Sequence, residues 1–183
     1  MSRPLQVITV CTHNRTRSVL MAGLLERHAA DAGLEVAITS TGFIEAGLPP
    51  TERTVKLLGR VGVDVAQHRS SRLGSGAPPV TDFVLTAERA HVVSIASRWP
   101  ELFDRAFTLP EAVERGEEVG PRGDRDVHDW IAALAGGRPS RLAYIDDIGV
   151  GQVADPTGGS PAEWRRAFGI IDELTKQLVT LLA

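Results

Sequence analysis

The spacing of apolar residues changes rhythm several times along the chain, and each change marks an element. Leu5 to Val10 is apolar on both faces, as a strand in the middle of a parallel sheet must be. From Arg17-Ser18 onward, Leu20, Leu24, Leu25 and His28 fall at helical spacing as far as Asp31-Ala32-Gly33, where the glycine closes the helix. Val36 to Thr39 makes a second strand, and Ser40-Thr41-Gly42 opens a loop that ends in Pro49-Pro50. Thr51 caps a second helix built on Val55, Leu57, Leu58 and Val61.

Val63, Val65 and His68 lead through Arg69-Ser70-Ser71-Arg72 into a Gly/Pro-rich link, Gly74 to Pro79. Asp82 to Thr86 reads as a third buried strand, Glu88 to Trp99 as a third helix and Ala106 to Leu109 as a fourth strand. Strands that alternate with helices predict an α/β fold, here a single three-layer domain over residues 1–183. Its centre is a four-stranded parallel sheet with helices on both faces, and ligands bind at the carboxyl ends of such strands.

The rhythm weakens from Glu114 to Gly151. Gly116 to Asp129 mixes glycine with charge, Trp130 to Leu134 has room for a brief helix, and Gly136-Gly137-Arg138-Pro139 breaks it. Residues 114–150 therefore read as an insertion or mobile segment on one rim, and the Asp146-Asp147 pair in it as solvated. Order returns after Asp155-Pro156-Thr157-Gly158-Gly159. Ser160 as cap, Pro161 in the first turn and Glu163 three residues after the cap form a capping box. Trp164, Phe168, Ile171, Leu174, Leu178 and Leu181 then give one apolar stripe for packing on the sheet.

A chain of 183 residues, 43% of them hydrophobic, is long enough to bury a proper core. Its basic residues are almost all arginine, spread among acids to a net charge of -3, so no basic stripe points to nucleic acid. No apolar run is long enough for a signal peptide or a membrane span, so a cytoplasmic protein without nucleic-acid or membrane partners is expected. One cysteine, Cys11, excludes an internal disulfide and a multi-cysteine metal site.

Cys11 carries the candidate chemistry. It ends the first strand, and Thr12-His13-Asn14-Arg15-Thr16 separate it from Arg17-Ser18 at the start of the first helix. Free N–H groups and the dipole at a helix start favour an anion in that loop, and the same field favours a nucleophilic thiolate. Arg17 can grip two oxygens of a phosphate at once, and the Ser18 hydroxyl can satisfy an exposed N–H or donate to the sulfur. A lone cysteine after a strand is also often no more than a small buried hydrophobe. The strand, loop and helix setting turns Cys11 toward phosphate chemistry.

With Cys11, Arg17-Ser18 and a late Asp155-Pro156, the chain resembles the low-molecular-weight protein tyrosine phosphatase family, in its bacterial branch. That resemblance covers nearly everything except residues 114–150 and implies the phosphotyrosine phosphatase I-like fold. It implies Cys11 as nucleophile, Arg17 as phosphate clamp and Asp155 as general acid, with Thr12 to Ser18 wrapped around the phosphate. It also implies that Asn14, Ser18, Ser40 and His68 brace the loop. His68 reads equally well as a rim or core residue.

Departures from the family pattern concern the substrate. His13 stands where many relatives have glycine, and Thr16 where many have a second cysteine, so oxidised Cys11 would lack an internal partner. Arg15 occupies a commonly apolar position and would favour extra negative charge on a substrate. Thr157 replaces a residue that is often aromatic, leaving Phe43 and Leu48 as candidate walls. The implied activity is hydrolysis of a phosphate ester, on a phosphorylated protein or a small molecule, through a phosphocysteine without metal or cofactor. A single-cysteine arsenate reductase using a small thiol, with arsenate in the same loop, and a non-catalytic phosphate-binding regulator are the alternatives.

Overall fold

In a computed structural model, residues 3–44, 46–74, 76, 79–147 and 149–183 are described. The loop toward Pro49-Pro50, the link from Gly74 to Pro79 and the segment 114–150 thus each contain residues outside that set: Glu45, then Ser75, Ala77 and Pro78, then Ile148. Four parallel strands, β1 (Leu5–Val10), β2 (Val36–Thr41), β3 (Phe83–Thr86) and β4 (Ala106–Thr108), stand in the order β2-β1-β3-β4. β1 is central, with Val10 level with Thr41 on one side and Thr86 on the other. The three carboxyl ends therefore open at one edge of the sheet, with Cys11 the next residue along.

Alternation along the strands divides the interior in two. Leu5, Val7, Phe83, Leu85 and Phe107 join a core with residues of α1 (Arg17–Asp31), α4 (Leu109–Val119), α5 (Val127–Ala135) and α7 (Pro161–Leu182). Ile8, Val10, Val84 and Ala106 join the opposite core with α3 (Arg89–Arg98), the 3-10 turn Pro100–Arg105 and Tyr144 of α6 (Arg141–Tyr144). α2 (Glu52–Gly59) lies beside α1 and adds Leu58 to the first core. No helix among the described residues is long and apolar enough to cross a membrane.

Local signals act where the sequence puts them. Gly33, at φ 68, follows α1 in a Schellman arrangement, with its N–H donating to Ala30 O and that of Leu34 to Ala29 O. Thr51 accepts from Thr54 N, and Ser160 and Glu163 exchange the two bonds of a capping box before α7.

Residues 114–150 differ from their irregular appearance in the sequence. They complete α4 and supply α5 and α6, and they bury Trp130 and Tyr144 completely enough to belong to the core rather than to a loose rim. What holds them is a buried polar cluster around Arg138. Its guanidinium donates to Glu111 (Nε–Oε1, 2.9 Å), Phe103 O and Ala106 O, and it packs on the rings of Phe103, Phe107 and Tyr144 at 4.3–4.6 Å from their centroids. Tyr144 donates its hydroxyl to Glu111 Oε2 at 2.7 Å. Burial, then the Glu111 charge, raises the pKa of that phenol and keeps it a donor.

Candidate active site

Between β1 and α1 the chain must turn tightly around an anion-sized space, and Asn14 makes the turn possible. It has the one positive φ (53°) of any non-glycine described residue. Its side chain, completely buried, fixes that conformation from three sides. Nδ2 donates to Ser18 Oγ (3.0 Å) and Ser40 Oγ (2.8 Å), and Oδ1 accepts from Ser71 N (2.8 Å). His68 Nε2 donates to the Asn14 carbonyl at 3.0 Å. Asn14, Ser18, Ser40 and His68 are thus one network, and Ser71 is a member that side-chain reasoning misses because it contributes a backbone N–H.

Because Ser18 Oγ accepts from Asn14, its own hydrogen is available to Cys11 Sγ, 3.1 Å away. The sulfur is almost fully buried at the floor of the loop. Gly42 lets the β2 loop pass against it, since a Cβ there would meet Thr12 O at 2.8 Å and Asn14 N at 2.9 Å. Of the remaining loop residues, Thr16 is buried with its hydroxyl 3.4 Å from that of Thr51, and His13 is exposed. Arg15 turns outward and donates from Nε to Pro49 O at 2.8 Å.

Arg17 is the charged floor of the site, with only 3% of its side chain exposed. Nη1 donates to Glu88 and to Val153 O (3.1 Å), and Nη2 donates to Asp155 Oδ2 (2.8 Å) across 138 positions of sequence. Asp155 arrives because the stretch before it runs along the end of β3, with Val153 N bonded to Ala87 O at 2.8 Å. Burial alone would raise the Asp155 pKa, but hydrogen bonding from Thr157 and the charges of Arg17 and His13 outweigh it. The carboxyl lies below its ordinary range.

Two residues here are not among the site residues expected from the sequence. Glu88 sits between β3 and α3, and His91 lies behind it, accepting at Nδ1 from Glu88 N (3.2 Å) and donating from Nε2 to Thr12 Oγ1 (3.1 Å). Burial, chiefly, pushes His91 down to about 4, so the ring is neutral at pH 7. The signal that could have found both is their place just past the carboxyl end of β3, where this fold class builds sites. Of the expected walls, Phe43 stacks on His91 with ring centroids 5.5 Å apart and carries the Arg98 guanidinium over its face. Leu48 and Thr157 are exposed at the rim. Asp146 and Asp147 make no described bond to Arg17; Asp147 accepts from Gly149 N.

A thiol under a loop of backbone amides, a buried guanidinium and a carboxyl at the mouth can hold a tetrahedral oxyanion and displace a group from it. Comparison with known proteins agrees. Residues 6–129 match the family model described as low molecular weight phosphotyrosine protein phosphatase, a span that ends before the Asp155 loop. A protein-arginine-phosphatase of Bacillus subtilis (strain 168) is 27% identical over 97% of both chains. One of Geobacillus stearothermophilus is 33% identical over 60% of this chain and 72% of its own. Among solved structures, a YwlE arginine phosphatase mutant with a phosphorylated active site serine superposes with a TM-score of 0.71 at 26% identity, covering 96% of this chain and 93% of that one. With half its length and more inside the family model, the chain belongs to the low molecular weight phosphotyrosine protein phosphatase family of cysteine-dependent phosphatases.

Proposed function

We propose that Cys11, Arg17 and Asp155 form the catalytic group, and that the substrate is a phosphorylated protein side chain, phosphoarginine in first place. The observation that carries the catalytic assignment is the 2.8 Å bond between Arg17 Nη2 and Asp155 Oδ2. It puts the candidate acid on the same guanidinium that would hold the phosphate. Cys11 Sγ attacks phosphorus in line while the amides of residues 12–18 and Arg17 hold the equatorial oxygens. The bond from phosphorus to the leaving group breaks as the S–P bond forms, and Asp155 gives its proton to the leaving atom. A water then attacks phosphorus, the S–P bond breaks, and Asp155 takes the proton back.

Asp155 is ionised in the ligand-free protein at neutral pH, since its pKa is lowered. An arriving phosphoryl group takes up donors of Arg17 and places negative charge beside the carboxyl, and both effects raise its proton affinity. Substrate entry thus makes the acid. Phosphoarginine takes first place because both protein-arginine-phosphatases are relatives, and because Thr157 is no aromatic wall for a phenyl ring. Arsenate, tetrahedral like phosphate, is expected to occupy the same loop.

Phosphate release from a phosphoarginine peptide and a phosphotyrosine peptide tests this reading. Wild type should favour phosphoarginine. Asp155→Asn should lower turnover of poor leaving groups by about a hundredfold, and much less for an activated nitrophenyl ester. A preference for phosphotyrosine would overturn the substrate reading, and a loss independent of leaving group would remove Asp155 as the acid.

A further inference from the structure

The mouth of the site carries one more carboxylate than gripping a phosphate calls for. Glu88 is held by its backbone on both sides, its N–H on His91 Nδ1 at 3.2 Å and its carbonyl accepting from Thr86 Oγ1 at 3.0 Å. Glutamate is not among the favoured residues at a helix start. Its side chain, in a capping box with His91 at the start of α3, also reaches Nη1 of Arg17, while Asp155 holds Nη2. The two terminal nitrogens of a guanidinium are adjacent, so the two carboxylates are neighbours. Glu88 and Asp155 keep 33% and 38% of their side chains exposed, above an Arg17 that keeps 3%.

Charge decides what such a mouth accepts. In direct contact, one buried cation faces two carboxylates, and His91 is neutral at pH 7; Arg15 keeps its charge but turns its Nε to Pro49 O, and His13, whose charge also acts on Asp155, is exposed on the loop. A phosphoryl group brings close to two further negative charges. A phenol leaving group brings no cation of its own to set against the two carboxylates. A phosphorylated guanidine carries its own cation beside the phosphorus, in the planar fork that carboxylates recognise and that these two already hold in Arg17.

We propose that Glu88 is a specificity-determining residue, pairing with the cationic guanidinium of an N-phosphorylated substrate while Asp155 handles the proton. The inference rests on the phosphatase reading at Cys11. The P–N bond breaks as the S–P bond forms, the leaving nitrogen takes the Asp155 proton, and arginine departs as its guanidinium; water then releases phosphate from Cys11. Glu88 exchanges no proton in either step.

The experiment measures kcat/KM on phosphoarginine and phosphotyrosine peptides for wild type, Glu88→Gln and Glu88→Asp, with thermal melts to show that the variants fold. In Glu88→Gln the phosphoarginine-to-phosphotyrosine ratio should fall about tenfold or more, the worth of a charge-assisted hydrogen bond. Glu88→Asp, which keeps the charge, should hold most of the ratio. The same fall should appear in the relative affinities of the two peptides for Cys11→Ala, which has no nucleophile to take up the phosphoryl group. A ratio that stays put while both rates drop would show that Glu88 only steadies Arg17, and would overturn the proposal. A wild type that prefers phosphotyrosine, with the ratio still falling in Glu88→Gln, would refute phosphoarginine as the substrate and leave the role of Glu88 standing. Release that survives in Cys11→Ala would instead refute the phosphatase reading beneath it.

Discussion

His91 shows how one residue ties the stability of the protein to its site. Its ring bonds Glu88 N on one side and Thr12 Oγ1 on the other, and stacks on Phe43. An unfolded histidine takes up a proton near pH 6.5, whereas His91 holds off until about 4. Between those values the unfolded chain binds more protons, so stability falls as pH drops below 6.5, and the loss is complete below 4. The shift is worth roughly 3 kcal/mol across that window. Urea denaturation at pH 7 and pH 5 should therefore show a smaller pH dependence in His91→Gln than in wild type. Equal slopes would mean that His91 is not held neutral. At this same scale the phosphate loop is legible in the sequence, because Cys11, Asn14, Arg17 and Ser18 lie within eight residues of one another. Glu88 and His91 are not, because only the pairing of β1 with β3 brings them to Arg17 and Thr12.

Among the elements, strands and long helices announce themselves through periodicity and capping, and β1, α1 and α7 fall where the pattern puts them. The segment 114–150 does so only at Trp130 to Leu134, which lies inside α5. Its glycines and charges read as loop, yet Arg138 is buried against Glu111, 27 positions away, and against three aromatic rings. A buried arginine is tolerable only with its partner in place, and no local pattern encodes a partner that distant. Glu111→Ala would leave Arg138 unpaired and Tyr144 without its acceptor. It should cost about 3–5 kcal/mol, read as a large drop in melting temperature. A loss below about 1 kcal/mol would indicate that water readily reaches the cluster and replaces Glu111.

For the molecule as a whole, the alternation of strand and helix is enough to derive a parallel sheet with helices on both faces and a site at its carboxyl edge. It cannot say that Asp155 closes that site, since this depends on Val153 pairing with Ala87 after a stretch of chain whose path the sequence leaves open. On the proposed route a phosphoryl group passes through Cys11, where β1, α1 and this late loop converge. Rapid quenching of Asp155→Asn during turnover of an activated phosphate ester, followed by mass analysis of its peptides, tests that route most directly, because slow removal of the group by water should let the intermediate accumulate. One acid-quenched phosphoryl adduct is expected, on the peptide that contains Cys11, formed and lost at rates that match turnover. Turnover at the full rate with Cys11 unmodified, or with the adduct on another residue, would contradict that route.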